Sequence, residues 1–167
     1  MEIGLSLGSN IGDRLANLVE CRRRIAGIPS VRITAQSGVY ETSPQDVPGC
    51  FAHVKFLNAA LVLESQLPIQ AFAAQCARIE REMGRAGKRR RNAPRIIDID
   101  IVYAGNIVRA GKRLAIPHPR WAKREFVLRP LADVRPGLVI PGAVAPVAQI
   151  LSGVEGKNGV EVFCRKW

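Results

Sequence analysis

Residues 94–103 read PRIIDIDIVY. Between Ile97 and Ile101 apolar and acidic side chains alternate one for one, the period of a β-strand. Residues two apart on a strand share a face. Ile97, Ile99 and Ile101 therefore point into a core, and Asp98 and Asp100 point together to the other side. A strand spanning Ile96 to Tyr103 needs partners, and reading outward supplies them. Upstream, Pro68 to Met83 has the spacing of a helix, with Ile69, Phe72, Ala73, Cys76 and Ile79 on one side. Pro68 suits its start and Gly84 its stop. Val54 to Leu63 and Val31 to Glu41 are β-like. Ser43 to His53, with two prolines and a glycine, reads as the loop between them. Asp13 to Ile25 predicts a helix with Leu15, Leu18, Val19 and Ile25 on one face. Residues 2–7 predict a strand that breaks at Gly8-Ser9-Asn10.

Downstream of Tyr103, Ala104-Gly105-Asn106 predicts a hairpin turn. Prolines punctuate short elements from residue 117, among them a short helix at Gln149 to Leu151 and a strand at Val160 to Phe163. The core order is strand, helix, strand, strand, helix, strand. That is the split βαβ pattern of an α+β, ferredoxin-like α/β sandwich: an antiparallel sheet with a βαββαβ core and extra C-terminal elements. No repeat, low-complexity tract or Gly/Ser linker interrupts it, so one domain over residues 1–167 is expected.

The chain has 167 residues, 47% of them hydrophobic, enough for a core without staples. Lys and Arg outnumber Asp and Glu by 25 to 14, a net charge of +11. Such an excess favours anionic partners without saying which. Cysteines at 21, 50, 76 and 164 make no CxxC pair, and with only His53 and His118 they do not fit a structural zinc site. MEIGLSLGSN lacks the basic flank and apolar run of a signal peptide, and no stretch approaches the roughly 20 apolar residues of a membrane span. Free, mostly buried thiols in a cytoplasmic protein are the expectation.

The chemistry centres on the strand already read. Two adjacent carboxylates repel unless protonated or bridged by a cation. Hard oxygen donors suit Mg²⁺, which commonly takes one or two carboxylates plus substrate phosphates. The bland alternative is a solvated strand face. Before the strand lies GRAGKRRRNAPR, residues 84–95, with Arg85, Lys88, Arg89, Arg90, Arg91 and Arg95. Arginine forks match phosphate oxygens, and a basic loop beside a metal site could close over a triphosphate. In isolation it would read as a solvated charge run. Neither GxxxxGK[ST] nor GxGxxG occurs, so ATP, if bound, is held without a P-loop or dinucleotide fold. His118, between Pro117 and Pro119, has a fixed backbone, as a positioned contact needs. Phe56-Leu57-Asn58 and Tyr40-Glu41-Thr42 each join an aromatic to a polar group, suited to a flat heterocycle or simply to core packing.

Taken in order, LGSN at 7–10, GDR at 12–14, YETSP at 40–44, FLNA at 56–59, IExxxGR at 79–85, PRxxDIDI at 94–101, PHPR at 117–120 and RxFVLxPL at 124–131 resemble the hydroxymethyldihydropterin pyrophosphokinases. The resemblance implies diphosphate transfer from ATP to a pterin alcohol in folate biosynthesis, with AMP released. It implies that Asp98 and Asp100 hold two Mg²⁺ ions. Arg85, Arg95, Asp98 and Asp100 are the implied catalytic residues. Glu80, Arg95, Ile101, Arg113, His118 and Arg124 are the implied ATP site. Gly8, Thr42, Phe56, Asn58 and Phe126 are the implied pterin site. The expected partners are these small molecules, with no nucleic acid and no membrane, and the expected state is a monomer. Four departures stand out: Phe56 where the family often has Tyr, Asn92 where many relatives carry an aromatic, Ala115 where a hydroxyl can touch ATP, and a 43–53 loop that follows no familiar pattern. Two alternatives remain. One is a non-catalytic binding relative. The other is an RNA-binding module, suggested by Phe51 to Phe56 but disfavoured by Gly49 and Cys50 at the positions where a basic residue and a glycine belong.

Overall fold

The computed structural model describes residues 1–43, 54–84, 95–111, 113–154, 156 and 159–167. The 44–53 stretch and the basic segment 85–94, with Arg85 and Asn92, lie outside the described residues. Among the described residues six strands form an antiparallel sheet: β1 (Glu2–Ser9), β2 (Val31–Gln36), β3 (Val39–Thr42), β4 (Phe56–Ser65), β5 (Asp98–Ala104) and β6 (Val160–Cys164). Their order is β5-β1-β4-β3-β6, and β2 also pairs with β4. Helices α1 (Arg14–Ala26) and α2 (Ile69–Glu82) complete the βαββαβ core, and α3 (Glu125–Val134) and α4 (Val147–Ser152) follow β5. Among the described residues no helix is long and apolar enough to cross a membrane.

The alternation of the strands divides the interior into two cores. Ile3, Leu5 and Leu7 of β1, Leu57 to Leu63 at odd positions of β4, and Ile97, Ile99 and Ile101 face α1 and α2. Ala60, Val62, Val102 and Tyr103 face the opposite way, against Trp121, Val127, Leu128 and Leu131. The face that carries Asp98 and Asp100 is therefore covered along part of its length rather than open to solvent.

Several expectations need adjustment. The β-like run Val31 to Glu41 is two strands, parted at Ser37-Gly38. There Ser37 accepts the Ala60 N–H through its hydroxyl and donates its own N–H to the Ala60 carbonyl. On α1 the buried stripe is Leu18, Cys21 and Ile25, while Val19 is exposed. A step of about 100° per residue turns position 19 off the stripe that 18, 21 and 25 share. The turn at Gly105 forms, with φ +48 and an Ile107 N–H to Ala104 carbonyl bond of 3.0 Å, but among the described residues no full strand returns. Among the described residues an isolated Arg109–Ile116 bridge follows. The chain then runs along the outer edge of β5, where His118 N–H donates to the Val102 carbonyl at 2.9 Å. Helix α3 carries Pro130 inside it, with Leu128 and Leu131 buried on the second core. Of the cysteines, Cys21 and Cys76 are free and buried, and Cys164 is free and part-buried.

Candidate active site

Register brings the site together. Gly8 of β1 lies opposite Asp98 on one side and Asn58 on the other, and Ser6 lies opposite Asp100 and Ala60. Asn58 in turn faces Tyr40, and Phe56 faces Thr42. Directly paired residues point to the same face of a sheet. Asp98, Gly8, Asn58 and Tyr40 thus form one row across four strands, with Asp100, Phe56 and Thr42 beside it. Asn58 Nδ2 donates to Thr42 Oγ1 at 2.7 Å, with both side chains buried. A methyl group at Gly8 would stand 3.2 Å from Asn58 Oδ1 and 4.0 Å from Phe56 Cδ1. Glycine keeps that floor low enough for something flat to lie on it. Arg14, at the start of α1, pairs with Glu41 Oε1 at 2.9 Å and donates to the Lys55 carbonyl at 3.1 Å, while Lys55 Nζ reaches Glu41 Oε2 at 2.9 Å. This bracket draws the end of β3 and the start of β4 together beside Thr42 and Phe56.

The acidic pair is surrounded by cations. Arg95 contacts Asp98 Oδ1 at 2.7 Å, and Arg124 stands 3.8 Å from Asp100 Oδ2. Burial, followed by repulsion from Asp98, pushes the Asp100 carboxyl up to about 6, against the pull of Arg124, Arg95 and Arg120. His118 Nε2 lies 3.9 Å from Asp100 Oδ2. Burial first, then Arg124 and Arg120, drive its imidazole down to about 4, so at neutral pH this is not an ion pair. Arg120 N–H donates to His118 Nδ1 at 3.3 Å. An accepting Nδ1 leaves the proton of the neutral ring on Nε2, facing Asp100.

A cleft of about 240 Å³ runs along the outer edge of β5. Its walls include Glu80 of α2, Asp100 and Ile101 of β5, and Arg113, Ala115 and His118 of the returning segment. Glu80 is buried, and its Oε1 accepts the Ile99 N–H at 3.0 Å. It therefore fixes the backbone between the two aspartates as well as lining the cleft. The Ile101 side chain is buried in the first core, and the two-residue alternation of the strand turns its backbone, like that of Ile99, toward the cleft. Phe126 sits in the first turn of α3, half-buried on the second core, with the Arg124 guanidinium 5.3 Å from its ring centre.

Of the described candidates, the structure sets Asp98, Asp100, Glu80, Arg95, Ile101, Arg113, His118 and Arg124 around the edge of β5, Gly8, Thr42, Phe56 and Asn58 across β1, β3 and β4, and Phe126 on α3 beside Arg124. Two further residues join the site by contact with its members. Arg120 orients His118 and acts on Asp100, and its signal was the PHPR run. Asn10, the last residue of LGSN, bonds the Arg95 backbone through its side chain. Among the described residues no group of three or more acidic, histidine or cysteine side chains could hold a metal ion.

Known proteins share this sequence pattern and this fold. The family model described as 7,8-dihydro-6-hydroxymethylpterin-pyrophosphokinase matches residues 4–136. A 2-amino-4-hydroxy-6-hydroxymethyldihydropteridine pyrophosphokinase of Methylorubrum extorquens is 41% identical over 139 residues, covering 83% of this chain and 85% of that protein. Folic acid synthesis protein fol1 of Schizosaccharomyces pombe is 38% identical over 95% of this chain, which spans 21% of that longer protein. Among solved structures, a wild-type Plasmodium falciparum HPPK-DHPS superimposes with a TM-score of 0.70 over 94% of this chain and 47% of its own, at 14% identity, a likeness of fold. The match over most of the sequence and the 41%-identical relative lead to one conclusion: the chain belongs to the 7,8-dihydro-6-hydroxymethylpterin-pyrophosphokinase family.

Proposed function

We propose that the chain transfers a diphosphoryl group from ATP to the hydroxymethyl oxygen of a 6-hydroxymethyl-7,8-dihydropterin, releasing AMP. The observation that carries this reading is the shared row of Asp98, Gly8 and Asn58. Adjacent strands are about 4.8 Å apart, so the carboxylates and the amide are separated by roughly 10 Å. A flat heterocycle lying over Gly8, paired with Asn58 and Thr42 and stacked on Phe56 and Phe126, would direct its hydroxymethyl group toward the carboxylates. The family name supports the same substrate.

The donor set at Asp98 and Asp100 fits Mg²⁺: two hard carboxylates on one face, one of them strained by its neighbour's charge. With no third acid in reach among the described residues, phosphate oxygens and water would complete the coordination. When bound, the ion would neutralise charge on the polyphosphate. The protein's own groups do the rest. Arg95, Arg113 and Arg124 hold phosphate oxygens through planar forks. Neutral His118 donates one hydrogen bond from Nε2 and adds no charge. The edge of β5 at Ile101 offers backbone groups to the nucleotide base, and Glu80 holds that edge still. The alcohol oxygen attacks the β-phosphorus, the bond from that phosphorus to the α-β bridging oxygen breaks, AMP leaves with the bridging oxygen, and the alcohol's proton is released to water. Positioning and electrostatics supply the rate enhancement.

The test is Asp98→Ala and Asp100→Ala, each measured for turnover and for pterin affinity. Turnover should collapse while pterin binding stays within a few-fold of wild type. Retained turnover at ordinary Mg²⁺ would overturn the metal assignment.

A further inference from the structure

Asn10 stands where the β1–β5 ladder ends, two residues past the Gly8–Asp98 pair. Regular antiparallel pairing would set it opposite Ile96. Instead its backbone N–H donates to the Arg95 carbonyl at 3.2 Å, and its side-chain Oδ1 accepts the Arg95 N–H at 2.7 Å. The side chain thus does the work of a main-chain carbonyl and clasps Arg95 from both sides. Asn10 is 6% exposed. Its own position is fixed from α1: Asn17 Nδ2 donates to Ser9 Oγ at 3.1 Å and to the Ile11 carbonyl at 2.8 Å, and Asp13 caps the helix through Ala16 N–H at 3.0 Å. Strand β5 begins only at Asp98, so Arg95 precedes the ladder and takes its backbone anchor from Asn10. At the far end of the same residue, the guanidinium contacts Asp98 Oδ1 at 2.7 Å.

We propose that Asn10 is a positioning residue for diphosphoryl transfer: its two-bond clasp on the Arg95 backbone sets where the Arg95 guanidinium stands relative to Asp98 and so aligns the phosphate-binding side of the site with the Gly8 floor. The assignment rests on the pyrophosphokinase reading above. Asn10 touches neither reacting atoms nor substrate; it acts through Arg95. Loss of the side-chain acceptor frees the Arg95 main chain, and a misplacement of about 1 Å at a transfer site costs on the order of 100-fold in rate.

The experiment compares wild type with Asn10→Leu, which keeps the size without the acceptor, and Asn10→Asp, which keeps an oxygen at the Oδ1 position. Turnover number, KM for pterin and ATP, half-saturating Mg²⁺ and melting temperature are measured for each. Asn10→Leu should lose about 10- to 100-fold in kcat with KM for pterin changed less than about threefold and with a raised Mg²⁺ requirement. Asn10→Asp should recover most of that kcat. A merely structural role would lower the melting temperature and the amount of active protein without moving the Mg²⁺ requirement. Asn10→Leu turnover within about threefold of wild type, a loss confined to KM for pterin, or no recovery in Asn10→Asp overturns the proposal. If Asn10→Leu does not fold, Asn10→Ser carries the same criteria, because its shorter hydroxyl cannot reach Arg95 N–H at bonding distance. Wild-type protein that makes no AMP overturns the pyrophosphokinase reading and this proposal with it; a variant that matches an active wild type overturns this proposal alone.

Discussion

Asp100→Asn should stabilise the metal-free protein while abolishing its turnover. The Asp100 carboxyl rises from 3.8 to about 6 through burial and the charge of Asp98. At about 1.4 kcal/mol per pH unit that rise amounts to roughly 3 kcal/mol against the ionised form. The side chain keeps 37% of its surface exposed, and solvent screens the repulsion, so about 1 kcal/mol is the expected gain on neutralising it. For a chain of this length, 1 kcal/mol is a rise of about 2–4 °C in melting temperature. The sign follows from linkage. An acid whose folded value lies above its unfolded value destabilises the fold above both, and the burden fades as pH falls from about 6 towards 3.8. Melting curves in EDTA should therefore show the variant above wild type at pH 8 and the two converging near pH 4. Adding Mg²⁺ should raise wild type and leave the variant unchanged, since only a folded-state ligand shifts the midpoint. A variant no more stable than wild type at pH 8, or a gap that widens on acidification, would refute the reasoning.

Tyr40→Phe removes the 2.6 Å bond from the phenol to Asp133 Oδ2, which ties β3 to α3; burial and that bond push the phenol up to about 12. A loss of about 1.5 kcal/mol in denaturant unfolding is expected, the usual worth of a bond to a charged partner. Gly4→Ala would place its methyl 2.0 Å from Tyr103 Cε1, and overpacking of that kind should cost about 2–3 kcal/mol in the same assay. Phe56→Ala should weaken pterin binding roughly tenfold by calorimetry, the loss of one stacking face, while ATP binding holds.

The strand read from PRIIDIDIVY, the helix read from Pro68 to Met83 and their neighbours needed only local periodicity, and they stand within two residues of the observed ends. The two-strand split at Ser37-Gly38 did not show in composition, because it is set by hydrogen bonds to Ala60 on another strand. Helix α3 was hidden by Pro130, which reads as punctuation and here sits inside a helix held by burial of Leu128 and Leu131. The pairing of β3 with β6 joins residues more than a hundred apart, Tyr40 with Val162, which no local pattern carries. At the site, residue types that suit phosphate and heterocycle chemistry were legible from spacing and family resemblance. Roles that depend on register were not: Asn10 on Arg95, Glu80 on the Ile99 backbone and Arg120 on His118 are each contacts between segments distant in sequence or local turns of uncommon geometry.

The most direct test is a single reaction of the protein with ATP, Mg²⁺ and 6-hydroxymethyl-7,8-dihydropterin, followed by phosphorus NMR with the nucleotides separated. AMP rising in step with a pterin diphosphate is the predicted result. ADP with a pterin monophosphate, or no nucleotide turnover despite pterin binding, would contradict it.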